Sequence, residues 1–383
     1  RRRKETVGDL DVLVTARDRK KVMDHFVDYE DVMKIVSRGE TRSSVLLQSG
    51  LQVDARVVSA QSFGAAMLYF TGSQKHSVAL RKLAKQKDIK INEYGAHRGD
   101  KRIAAKTENA IYGKVGLKYI EPELREGRGE IEAAKEDKLP ELIQLGDIRG
   151  DLQSHTKYSD GKSTVEDMAQ AAKDQGYDYF AITDHSQNVS VTQGMDAKKL
   201  RKQIKEIEKV NEKFKKFHLL KSVEVDILED GKLDLPDDVL KELDLRICSV
   251  HSHFKLSREK QTERIIRAMD NPYFNILAHP TGRMIGKRGA FEVDLEKIMD
   301  AALERGCFLE LNASPDRLDL NDVYCKMAKE KGVKLAISTD AHQPGNLHFM
   351  KYGIGQARRG WLEKKDVLNT RTWKQLQKLL KRE

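Results

Sequence analysis

Cysteine is scarce in this chain. Its 383 residues include three, Cys248, Cys307 and Cys325, with no CxxC spacing among them. A disulfide framework and a cysteine-built zinc site are both excluded. Cys248 and Cys307 sit in the apolar runs "LRICSV" and "GCFLEL", so the three are expected to be reduced core residues of a cytosolic protein. Long apolar runs are also missing: no stretch reaches 18 residues and no signal peptide is visible, which excludes a membrane-spanning helix and points to the cytoplasm. An initiator methionine is absent too. The chain opens on "RRRKETVGDLDVLV", inside a strand motif, and its N-terminus is expected to have been cut away.

What is present is charge. Charged residues make up 34% of the chain and hydrophobic ones 39%, enough for two or three domains with ionised surfaces. Lys and Arg number 70 against 60 Asp and Glu, a formal +10, which favours a polyanionic partner such as nucleic acid without deciding for one.

Three textures follow one another. Residues 1–60 alternate short strand-like runs ("LDVLVTA", "SSVLLQS", "LQVDARVVS") with a helical stretch near 18–27, the pattern of a small α/β sheet. Residues 61–115 are more helical and end in the "INEYGAHRGDKRIAA" hairpin. Residues 116–146 are dense in charge and read as a linker over the surface. From 147 to 383 the chain becomes a β/α alternation. Seven strand-like runs, from "DIRGDLQ" through "YDYFAITD", "HLLKSVEVDI", "DLRICSV", "NILAH" and "CFLELN" to "VKLAIST", predict a closed parallel barrel.

Barrel chemistry gathers on the loops after the strand C-termini. Those positions carry Gln153 and His155, Asp184 and His185, Glu224, His251, His279, Asn312, and Asp340 with His342, and Asp160 follows in an S-D-G turn. One histidine at a strand end is more often a satisfied polar group than a ligand. Six strands of seven delivering His, Asp or Glu to one rim ask for another reason. Neutral imidazoles with carboxylates suit zinc, manganese or iron, and closely spaced ions suit phosphate esters. Asp184 reads better as the orienter of His185 or a helix cap than as a ligand, and His253 lies outside the set. One position is odd: Gln153 stands where a second histidine would share a strand face with His155.

In order over some 230 residues, "DLQSHTKYSDG", "AITDHS", "VEVDIL", "SVHSHF", "ILAHPTGR" and "STDAH" resemble the motifs of the polymerase and histidinol phosphatase (PHP) domain. That resemblance implies a distorted seven-stranded barrel with up to three ions. Gln153, His155, Glu224 and Asp340 would surround the first; Glu224, His251 and His279 the second; Asp160, His185 and His342 the third. The family usually has His where this chain has Gln153. An amide oxygen is a harder and weaker ligand than imidazole, so the first site is expected to be altered rather than dead.

At the front, "GDLDVLV" puts Asp9 and Asp11 on one strand face, and "LQVDARVV" puts Asp54 on another strand among apolar neighbours. Carboxylates buried on adjacent strands repel unless cations lie between them, and three fit two Mg²⁺ or Mn²⁺ ions with a nucleoside triphosphate. With "SFGAAMLYFTGSQKHSVALR" after them, residues 1 to about 95 resemble the palm and thumb of X-family DNA polymerases. The resemblance implies that Asp9 and Asp11 bind both ions and that Asp54 helps deprotonate the primer 3′-hydroxyl. It puts Arg2 on the dNTP triphosphate, Tyr69, Phe70 and Gly72 at the sugar, and Arg81 by the template. The Gly-Ser pair expected before the arginines is missing, and Ser77 stands where eukaryotic relatives carry a minor-groove Asn.

Both families in this order match the bacterial X-family polymerases with a C-terminal PHP domain. The expectation is an α/β chain, a truncated palm and thumb followed by a (β/α)7 barrel. It would be a monomeric repair enzyme that fills gapped duplex DNA and hydrolyses 3′ ends. An inert DNA-binding barrel and a small-molecule phosphatase are the alternatives; the second leaves the front 115 residues unexplained.

Overall fold

The computed structural model describes residues 1–189 and 192–382. The chain divides after Leu139 into two compact units.

The first unit opens on a four-stranded sheet, β1 (Asp9–Val14), β2 (Val32–Ser37), β3 (Arg42–Leu47) and β4 (Gln52–Val57), in the order β1-β4-β3-β2. β1 runs parallel to β4 and puts Asp11 directly opposite Asp54, so both side chains share a face. The helix α1 (Arg19–Val27) is capped by Asp18 and buries Met23 and Val27 on Ala55, Val57, Val45 and Val53. β2, "VMKIVS", had no legible strand signal: it is an edge strand exposed along nearly its whole length, so no buried face imposes alternation on it.

Next come α2 (Phe63–Thr71), α3 (Gln74–Lys85), the antiparallel β5 (Lys90–Asn92), β6 (Gly95–Arg98) and β7 (Lys101–Ala104), α4 (Glu108–Lys114) and α5 (Glu130–Lys135). Gly64 lets α2 approach the N-cap of α4: a Cβ there would lie 2.3 Å from the Thr107 backbone.

The segment read as a surface linker differs from that reading. Arg125 is fully buried, donating to the Ile120 carbonyl at 2.8–2.9 Å and to Glu108 at 2.6 Å. Glu130 is buried as well, accepting from His76 at 2.8 Å and from the Gly127 and Arg128 backbone amides. Charge density reads as solvation in a sequence, but here opposite charges and backbone groups satisfy each other inside the unit.

The second unit is the expected barrel. Its strands are β8 (Gly150–Asp151), β9 (Tyr179–Ile182), β10 (His218–Asp226), β11 (Leu245–Ser249), β12 (Ile276–Leu277), β13 (Phe308–Asn312) and β14 (Leu335–Ser338), all parallel and neighbours in sequence order. Every residue of β9, β11 and β14 is buried, which is why these strands read as unbroken apolar runs.

The helices are α6 (Val165–Asp174), α7 (Ala197–Asn211), α8 (Asp237–Leu240), α9 (Arg258–Met269), α10 (Leu295–Arg305), α11 (Asp322–Lys331), α12 (Met350–Arg359) and α13 (Trp373–Leu380). Several begin with a side-chain N-cap, Thr164, Asp196, Ser257, Asp294 and Asn321 among them.

β8 is too short to pair with β14 as a ladder, and other groups close the gap. Asn369 donates to the Gly150 carbonyl at 2.7 Å and the Ile337 carbonyl at 2.8 Å. Asp151 accepts from the Thr339 backbone and hydroxyl, and the His155 amide donates to Ala341 at 2.8 Å.

Candidate functional site

Of the side chains expected at the barrel mouth, most converge. His155, Asp160, His185 and His342 bring ligand atoms mutually within 4.8 Å, as do His185, Glu224 and His251, and among the described residues these groupings occur only in the barrel. Glu224, at the end of β10, is the hub. Its Oε1 lies 3.0 Å from His279 Nε2 and 3.4 Å from His251 Nε2, and its Oε2 lies 3.2 Å from His185 Nδ1 and 3.4 Å from His155 Nε2. Asp160 approaches His342 at 3.3 Å and His185 at 3.6 Å, while Asp340 approaches His155 at 3.0 Å. The imidazoles of His155 and His342 stack at 4.3 Å.

Few of these contacts are hydrogen bonds. Both His155 nitrogens, His185 Nδ1 and Glu224 Oε2 are buried with close neighbours but without a hydrogen-bond partner, as are both amide atoms of Gln153. Orphaned polar atoms in a protein interior cost about 1–3 kcal/mol each. Ligand atoms gathered within 4.8 Å that do not bond one another are what ion ligands look like, so the histidine and carboxylate set fits divalent metal.

The electrostatics agree. Burial acts to raise Glu224, Asp340 and Asp160, yet the surrounding imidazoles hold all three well below the usual carboxylate range. Burial depresses His185 and His342, but Glu224, Asp160 and Asp340 outweigh it and push both up to about 9. His279 is lowered to about 4 by burial and by Arg317.

Asp184 accepts from the Thr156 and Ser159 backbone amides and hydroxyls and from Gln203. It is committed to pinning the turn that carries Asp160, rather than to His185 or a helix cap as expected. Asn312 donates to Asp340 at 3.1 Å, and the exposed His253 faces Glu229 at 3.8 Å. The sequence reading missed Asp226, whose Oδ1 accepts from the His251 amide at 3.1 Å and lies 3.3 Å from its Nδ1. Its signal was available: Asp226 is two residues beyond Glu224, on the same strand face. Arg317, with Nε 3.5 Å from Asp340, and the buried Glu310, which accepts from the His279 amide at 2.7 Å, carried none. Asp340 and His279 are themselves held at positive φ, +55° and +28°.

The front carboxylates look different. Asp9 and Asp11 are exposed rather than buried, because β1 is an edge strand facing a cavity of about 530 Å³. Arg2, Phe70 and Thr71 line the same cavity. Arg2 is held there by the Thr71 carbonyl at 2.9 Å and Glu126 at 2.7 Å. Only Asp54 is buried, and its partners are Arg42 at 2.7 Å, Gln52 at 3.1 Å and Arg56 at 3.8 Å. Burial would raise its acid, but hydrogen bonds from Arg42, Ser44 and Gln52 leave it lowered, whereas burial leaves Asp11 raised in spite of Arg56. Tyr69 is exposed edge-on to Phe70 at 5.1 Å, Gly72 ends α2 at φ +65°, and Arg81 lies exposed on α3 with Nε 3.2 Å from the Ser77 carbonyl.

Comparison with known proteins assigns both halves. Residues 66–126 match the DNA polymerase beta thumb model, and residues 151–314 match the PHP domain model. The DNA polymerase/3′-5′ exonuclease PolX of Bacillus subtilis (strain 168) is 41% identical over 387 residues, covering 100% of this chain and 67% of that protein. A probable phosphatase of Thermoanaerobacter sp. (strain X514) is 32% identical over 231 residues, 57% of this chain and 89% of its own length. The chain therefore belongs to the bacterial X-family DNA polymerases that carry a PHP domain.

Proposed function

We propose that the barrel is a metal-dependent 3′–5′ exonuclease on DNA and that the front unit carries gap-filling nucleotidyl transfer, together serving DNA repair. The observation that carries the nuclease reading is the division of labour on Glu224, one oxygen facing His251 and His279, the other His155 and His185. A carboxylate so placed would help hold two ions, the first with Gln153, His155 and Asp340, the second with His251 and His279. Asp160, His185 and His342 are the donors for a third. Closely spaced divalent ions, when bound, activate water and neutralise the phosphate. The protein's own part is to hold these ligands on strand ends, to fix His251 through Asp226, and to keep Asp160 in place through Asp184. Gln153, a neutral oxygen donor, favours manganese over zinc at the first site.

In the front unit, Asp9, Asp11 and Asp54 are the donors for Mg²⁺ or Mn²⁺, and the cavity beside Arg2 and Phe70 has room for a dNTP. Tyr69 and Gly72 would shape the sugar pocket, and Arg81 would meet the template.

The test is hydrolysis of a 3′-labelled oligonucleotide with added Mn²⁺. Hydrolysis should be stimulated by Mn²⁺, and Glu224→Ala and His342→Ala should each remove it. Protein that binds no metal and stays inactive with Mn²⁺ would make the barrel a DNA-binding scaffold.

A further inference from the structure

On α7 one side is made of lysine alone. Lys198, Lys202, Lys205 and Lys209 follow one another at spacings of four, three and four residues, and all four are exposed. At 100° per residue they form a single stripe opposite the buried face of Leu200, Gln203, Ile204 and Ile207. The acids that flank it are engaged elsewhere: Glu206 accepts from Tyr158 at 2.6 Å, and Glu208 faces Lys221 at 3.5 Å. Arg201, on the flank, is committed to Asp238 and Glu242. Among the described residues, none of the four lysines has an ion-pair partner.

Folding does not explain this pattern. Like charges at three- and four-residue spacing destabilise a helix, and the acids spaced to relieve them, Glu206 and Glu208, are taken up by Tyr158 and Lys221 instead. The stripe is also tied to the metal centre. Met195, three residues before Lys198, donates its amide to the His185 carbonyl at 2.8 Å. Gln203, on the opposite face of the helix, donates to Asp184 at 2.5 Å. Tyr158, held by Glu206, belongs to the turn that ends in Asp160. The row of cations therefore begins at the barrel mouth and runs down the outer wall for roughly 16 Å at 1.5 Å per residue.

We infer that this stripe is a track for the sugar–phosphate backbone of the DNA strand whose 3′ end lies in the metal centre. It rests on the nuclease reading for its direction, though not for the binding itself. A row of point charges without hydrogen-bonding forks suits phosphates irrespective of sequence.

The test is the full chain with Lys198, Lys202, Lys205 and Lys209 all changed to Gln. A control variant changes four other exposed lysines of the barrel, Lys241, Lys374, Lys378 and Lys381. DNA affinity is titrated against salt. Loss of four phosphate contacts should lower the slope of log K against log salt by about 3 for the stripe variant, and by much less for the control. KM for a long oligonucleotide should rise at least fivefold, with hydrolysis of the small diester bis-p-nitrophenyl phosphate unchanged. Equal slope changes in the two variants, or none in either, would overturn the track. A parent that hydrolyses neither substrate would defeat the nuclease reading while the binding slopes still decide the stripe.

Discussion

Each unit keeps a cluster of carboxylates that repel one another, and each compensates them with a different cation. In the front unit the partners of Asp54 and Asp11 are Arg42 and Arg56. In the barrel the partners of Glu224, Asp160 and Asp340 are mainly histidines, with one arginine, Arg317, also beside Asp340. The distinction is chemical. Arginine cannot give up its proton and can never ligate an ion, so it must swing aside when one arrives. Histidine can release its proton and become the ligand without moving. The barrel cluster is thus paired with groups that could themselves hold an ion. The front cluster is held by arginines that would have to move aside for an ion.

Loss of the support behind a barrel ligand should have the largest effect. Asp226→Asn keeps the shape of the side chain but removes the charge that orients His251. Such outer partners of a metal ligand are worth about 10–100-fold in metal affinity or activity. Mn²⁺ titration and exonuclease rate should both fall by that much, with the unfolding midpoint little changed. Unaltered affinity would mean that the backbone alone sets His251, and the contrast with the front unit would lose its basis.

The barrel was legible because burial on both faces leaves a signature. "YFAI", "LRICS" and "LAIS" are apolar throughout, and each barrel strand from β9 onward ends at or near one of the polar residues picked out. The candidate ligands were legible for the same reason, as interruptions at fixed places. What escaped was whatever depends on partners distant in sequence. Asp184 is defined by Thr156 and Ser159, more than twenty residues upstream, and Asn369 by Gly150 across the barrel seam. The burial of Arg125 and Glu130 escaped because a charged residue carries no mark in sequence that it will be paired inside. The exposure of Asp9 and Asp11 escaped because strand order, not strand sequence, makes β1 an edge.

The buried Glu130–His76 pair makes the front unit sensitive to acid. Burial alone would raise Glu130, but His76 and the backbone amides of Glu130, Arg128 and Gly127 outweigh it and lower its acid. A lowered folded-state pKa gives stability that is present above the unfolded value, near 4.3, and is lost as pH falls through the folded one. Glu130→Gln should therefore cost roughly 1–2 kcal/mol at pH 7 and progressively less below about pH 4, where the parent loses the same contribution. Urea unfolding at the two pH values reads this directly. A penalty that does not shrink on acidification would show that the hydrogen-bond geometry, and not the charge, is what Glu130 supplies.

The smallest effect bears most directly on the arginine–histidine contrast. Arg42 is about half exposed and bonds Asp54 at 2.7 Å, an ion pair worth about 0.2–1 kcal/mol in such a setting. If it stands where a divalent ion must come, its removal should favour the ion by that amount. Arg42→Ala, in a His342→Ala background that weakens the barrel centre, should therefore tighten Mn²⁺ binding by the front unit up to about fivefold in the absence of DNA. Arg42→Lys, which keeps a fixed charge, should not. With dNTP and primer present the gain should vanish, because the incoming ligands displace the arginine in any case. Weaker Mn²⁺ binding in Arg42→Ala would reverse the sign. Arg42 would then be holding Asp54 in a metal-ready position, and the front cluster would be as well built as the one in the barrel.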